Sequence, residues 1–181
     1  MIHSVLNLIA FKLGWIAAVG GASRESMWLG PLVVAAIVTL HVALVRDTLR
    51  ELTFVVLVGL AGAVLDSGLH ATGLIRYPSS EAAWTLGIAP PWIASLWVLF
   101  ATLPRFSLRW LADRPLVAAV FGAVSGPLSF LAGSRLGVIA PGETAWITYA
   151  ALSLEYALAL PLIVRLAPAQ RSLQPAPRPA S

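Results

Sequence analysis

A chain of 181 residues that is 59% hydrophobic and 11% charged, with a mean hydropathy of +0.85, does not have the composition of a water-soluble domain, in which about a quarter of residues are charged. Its formal charge of +4 comes from Lys and Arg spread between apolar blocks, not gathered on the basic face that nucleic-acid binding requires. There is no cysteine, which excludes disulfides, thiol catalysis and cysteine-ligated metals.

Six apolar blocks, at about 3–22, 27–45, 52–75, 86–103, 116–138 and 144–165, each have the residues to cross about 30 Å of hydrocarbon at about 1.5 Å per residue. They predict an all-α polytopic membrane protein: one domain over 1–166, a compact bundle of six transmembrane helices with short connections. The first block lacks a basic leading region and is interrupted by Lys12, so it reads as a retained helix and not a signal peptide. Lys12 is also the first of several ionisable side chains at membrane depth, where charge is costly and points to a partner or a polar cavity. In the second block His41 plays that part, near its later end.

The third block carries Gly59, Gly62, Asp66, His70 and Gly73 on one helical face. Asp66 and His70 are one turn apart, so their side chains face the same way and read as an acid/base pair. Two ligands on one helix do not make a metal site, and neither a metal nor a cofactor is expected. Pro90-Pro91-Trp92 predicts the start of the fourth helix, since proline's missing amide is harmless there.

Between the fourth and fifth blocks, Arg105 and Arg109 are four residues apart, as are Phe106 and Trp110. That spacing predicts an interfacial anchor, with aromatics toward lipid and arginines toward head groups. The fifth block has a stripe of small residues, Gly122, Gly126, Ser129, Gly133 and Gly137, which predicts a central helix closely approached by its neighbours. Pro127 within it predicts a kink, with Ser125 and Ser129 placed to satisfy freed backbone groups or to line a polar cavity. Glu155 is the ionisable residue of the sixth block. The proline-rich tail, 167–181, has little to bury and reads as disordered.

Orientation follows from Lys and Arg in the loops. With a cytoplasmic N-terminus, the inner segments hold Arg46, Arg50, Arg105, Arg109, Arg114, Arg165, Arg171 and Arg178, and the outer loops only Arg24, Arg76 and Arg135. Both termini are therefore expected in the cytoplasm, with Lys12, Asp66 and Glu155 forming a mid-depth cluster and the histidines above and below it. At the outer face Arg24, Arg76, Tyr77 and Arg135 are expected to hold an anionic lipid head group through charge-assisted hydrogen bonds.

The segment from Asn7 to Trp15, Trp28-Leu29-Gly30-Pro31, His41, Asp66 with His70 and Gly73, Pro90-Pro91-Trp92 with Leu96-Trp97, Ser107-Leu108-Arg109-Trp110-Leu111, and Gly126-Pro127-Leu128-Ser129-Phe130-Leu131-Ala132-Gly133 with Leu136-Gly137 recur in order over nearly the whole chain outside the tail. In these features the chain resembles a widespread bacterial family of small multi-pass inner-membrane proteins of unknown function. The resemblance implies an inner-membrane location and no particular chemistry.

Three functions remain open on the residues alone. One is transport of a small solute or ion through a polar interior lined by Lys12, His41, Asp66, His70 and Glu155. A second is a membrane enzyme modifying a lipid or lipid-linked substrate, with Asp66, His70 and Glu155 catalytic. The third is a non-catalytic partner of other membrane proteins. Membrane lipids are expected partners in each.

Overall fold

The computed structural model describes residues 2–80, 84 and 86–168; most of the proline-rich tail therefore lies outside the described residues. In chain order come α1 (Ile2–Ala22), α2 (Leu29–Ala43), α3 (Thr48–Ala71), β1 (Ile75–Arg76), a 3-10 turn (Pro78–Ser80), α4 (Pro91–Phe100), a single turn α5 (Leu103–Phe106), a second 3-10 turn (Arg109–Leu111), α6 (Pro115–Arg135), β2 (Ala140–Pro141) and α7 (Ala145–Leu166). Among the described residues, α1, α3, α6 and α7 are long and apolar enough to cross a membrane, and at most a third of each apolar window is buried within the protein. Their remaining surface carries exposed leucines such as Leu13, Leu57, Leu128 and Leu158, as expected of helices whose outer solvent is hydrocarbon.

Two expected spans are shorter than the sequence suggests. α2 has 15 residues and α4 has 10, against about 20 for a full crossing. α4 begins at Pro91, with Pro90 extended in front of it, and its register is lost at Ala101–Thr102 before Pro104 opens the next turn. The third helix is displaced the other way: it starts at Thr48, so Glu51 lies inside its first turn.

α4 is the central element, packed against α1, α2 and α3, with Trp92, Ile93, Ser95, Trp97 and Leu99 buried. α6, expected at the centre, forms an outer pair with α7. The small residues explain both arrangements. A β-carbon on Gly14 would sit 2.7 Å from Leu99, on Gly59 2.3 Å from Val98, and on Gly122 2.1 Å from the Tyr156 carbonyl oxygen. Each glycine thus admits a neighbour that any other residue would push away, the usual means of association where lipid removes the hydrophobic drive. α6 runs unbroken through Pro127 to Arg135.

Gly73 and Gly137, expected on packing faces, instead follow the ends of α3 and α6 with φ of 73° and 72°. Bonds from Leu74 N to Leu69 O and from Val138 N to Gly133 O close these ends, the left-handed glycine stop that satisfies orphan carbonyls. The two loops then meet: Ile75 pairs with Pro141 and Arg76 with Ala140 in a two-stranded antiparallel ladder. Buried Ile75, Tyr77, Trp92 and Val138 pack beneath it.

Candidate functional site

Asp66 is buried where α3 meets α4. Gly59, Gly62 and Asp66 recur at helical spacing, and the first two let α4 approach. The Trp97 indole occupies the space a β-carbon of Gly62 would need, 2.0 Å from its ring atoms. That contact brings Trp97 Nε1 to donate to Asp66 Oδ2 at 2.6 Å. Tyr77 donates to the other oxygen at a long 3.5 Å. Burial first, and then the negative charge of Asp66, hold the Tyr77 phenol well above the ordinary tyrosine range, so it stays a donor at neutral pH.

His70 does not bond Asp66. Its Nδ1 lies 2.9 Å from the Ile75 carbonyl oxygen, which only accepts, so Nδ1 carries the hydrogen. Tyr77 stands between the two residues, its ring 5.3 Å from the imidazole and its edge toward Trp92. The second carboxylate comes from α7. Both oxygens of Glu155 are buried and, among the described residues, without a hydrogen-bond partner, and Asp66 lies within electrostatic range. Tyr156 stacks on Trp97 with centroids 5.1 Å apart and fits against Gly126.

Lys12 does not join this group. It lies two residues, about 200° around the helix, from buried Gly14, and is exposed among lipid-facing leucines, where its amine can snorkel. Trp15 does face the interior, donating to Ser129 Oγ at 3.1 Å; Ser125 is half-buried on α6. Of the outer set, Arg24 caps the end of α1 through Gly20 O at 2.8 Å, and Arg76 and Arg135 are exposed. Tyr77 is buried beneath them, turned toward Asp66 and not toward a head group.

A second polar centre sits at the other end of the bundle. Glu51 is fully buried and takes His41 Nε2 at 2.8 Å on one oxygen and Arg105 Nη1 at 2.5 Å on the other. Phe106 meets His41 edge-on and stacks on His3. Beside it, Asn7 bonds Thr102 and Ser107. Glu51 and Asp66 are 15 residues apart on α3, about 22 Å along the axis, so the ionisable groups form two centres and not one cluster. Glu51 escapes sequence reasoning because it stands at the edge of its apolar block and resembles an interfacial charge. The available signal was topological: His41, Glu51 and Arg105 all fall at block ends assigned to the same side.

Two cavities complete the geometry. A crevice of about 1160 Å³ separates α3 from α7, with Asp47, Arg50 and Pro168 at one end, apolar walls including Leu57, Ala159 and Leu162, and Gly62, Leu65 and Trp97 at the other. Beyond Trp97 lies a small space of about 40 Å³ lined by Asp66, Tyr77 and Tyr156 among others. Trp97 lines both. One turn past the crevice residues Gly62 on α3 and Ala159 on α7 come Asp66 and Glu155.

These features define a helical protein with four helices fit for membrane crossing, an acid pair behind a tryptophan partition, and a buried His-Glu-Arg centre at the far end. The chain belongs to DUF2878, a family described as protein of unknown function, whose model matches residues 4–162. No curated protein and no solved structure matches it.

Proposed function

We propose that this is a membrane-embedded enzyme acting on a lipid or lipid-linked substrate that enters sideways between α3 and α7, with Asp66 and Glu155 as its acid/base pair. The observation that carries this reading is Trp97, a single side chain that walls an apolar crevice on one side and hydrogen-bonds a buried carboxylate on the other. The crevice is of the size and character of an organic-ligand site, and it lies between two helices long and apolar enough to cross a membrane. Carboxyl groups in a dry site are suited to taking and returning a proton. His70, tied to a backbone carbonyl, supports the Tyr77 loop and has no part in the transfer. Transport is the weaker reading, because Lys12 stands apart from the acid pair and the space at Asp66 is small. We further propose six crossings with both termini cytoplasmic in a bacterial inner membrane, with the non-helical flanks of α2 and α4 completing their passage.

The test is lipid profiling of a strain lacking the protein, complemented with wild type, Asp66→Asn, Glu155→Gln and the crevice-filling Ala159→Trp. All three variants are expected to reach the membrane at wild-type levels and to leave the same lipid species uncorrected. Restoration of the wild-type profile by both acid variants would remove the enzyme reading.

A further inference from the structure

The geometry points to a ligand class for the small space beyond Trp97: a primary ammonium group on an apolar chain. This rests on the crevice reading above and deepens it. The residues around that space are Asp66, the aromatic Trp15, Tyr77, Trp97, Phe130 and Tyr156, and aliphatic side chains such as Ile93 and Leu152. Three of its hydrogen-bond donors are already committed. Trp97 Nε1 and the Tyr77 hydroxyl both go to Asp66, and Trp15 Nε1 goes to Ser129. A carboxylate beside aromatic rings is the combination that attracts organic cations. Among the described residues no Lys, Arg or His lines the space, so an anionic head group would find no opposite charge there. Glu155 adds a second carboxylate nearby whose oxygens, among the described residues, have no partner.

Size narrows the class. The space is small, about 40 Å³, where one water needs roughly 10–15 Å³. That admits a compact head such as a primary ammonium. The attached chain lies in the α3–α7 crevice, and because Trp97 is the shared wall, turning its indole aside joins the two spaces. An ammonium donates three hydrogen bonds, which Asp66 and Glu155 together can accept.

The test uses the full-length protein in phosphatidylcholine nanodiscs, titrated with decylammonium, decanol and decyl sulfate while thermal unfolding is followed. Decylammonium is expected to stabilise wild type saturably and decyl sulfate not at all. Asp66→Asn is expected to abolish the stabilisation. Phe130→Leu, which removes a ring wall without touching the Asp66 bonds, is expected to weaken decylammonium binding several-fold and leave decanol unaffected. If Asp66→Asn lowers membrane levels, the Phe130→Leu comparison decides alone. Equal stabilisation by decanol and decylammonium, both blocked by Ala159→Trp, would overturn the ammonium assignment while leaving the crevice as a lipid site. Indifference to all three probes and to Ala159→Trp would overturn both.

Discussion

At the scale of single residues, Glu51 and Asp66 solve the cost of a buried carboxylate in different ways. Glu51 holds a cation, a histidine and full burial together; Asp66 relies on an indole N–H and a distant phenol. Removing one partner of a buried ion pair strands the other, which costs about 3–5 kcal/mol. Glu51→Ala is therefore expected to lower stability by that amount in detergent thermal unfolding, and Glu51→Gln to be only partly milder because Arg105 stays charged. Asp47→Ala provides the contrast. Asp47 and Arg50 are 3.9 Å apart and well exposed, a pair worth no more than about 1 kcal/mol. A similar loss in both variants would show that Glu51 is not the anchor of the far end.

At the scale of elements, glycine decides which helices meet. Gly122 faces a backbone carbonyl on α7, whereas a β-carbon on Gly68 would meet nothing within 4 Å. Gly122→Val is expected to separate α6 from α7 and reduce folded protein sharply by size-exclusion chromatography. Gly68→Ala is expected to be neutral or to stabilise by up to about 1 kcal/mol, the helix-propensity gain over glycine. The spacing of Gly59, Gly62, Gly122 and Gly126 was readable from the chain as a set of packing faces. Which face met which helix was not, because a small residue advertises close approach without naming its partner. Gly73 and Gly137 show the same ambiguity, sharing the period of their helices yet ending them.

At the scale of the whole molecule, the absence of cysteine from all 181 residues makes topology directly measurable. Single substitutions at exposed loop positions, Ser26→Cys, Arg46→Cys, Asp113→Cys and Glu143→Cys, leave no native thiol to confuse the signal. An impermeant maleimide on intact cells is expected to label the variants at 26 and 143, and those at 46 and 113 only after permeabilisation. The opposite pattern would invert the orientation, and labelling of 26 and 113 together from one side would break the six-crossing arrangement.

By itself the sequence determined that this chain is helical, apolar enough for a membrane and marked by a few charges at depth, because composition and period are local properties of each segment. It also singled out Asp66 and Glu155. Only the tertiary structure decided that Asp66 belongs with Trp97 and Tyr77 and not with His70, that Lys12 faces outward, and that Glu51 joins His41 and Arg105 in a second centre. Those pairings depend on the rotation of each helix about its axis and on which neighbour its glycines admit. In an apolar helix that is hydrophobic on every side, the pattern of residues does not say which side faces in.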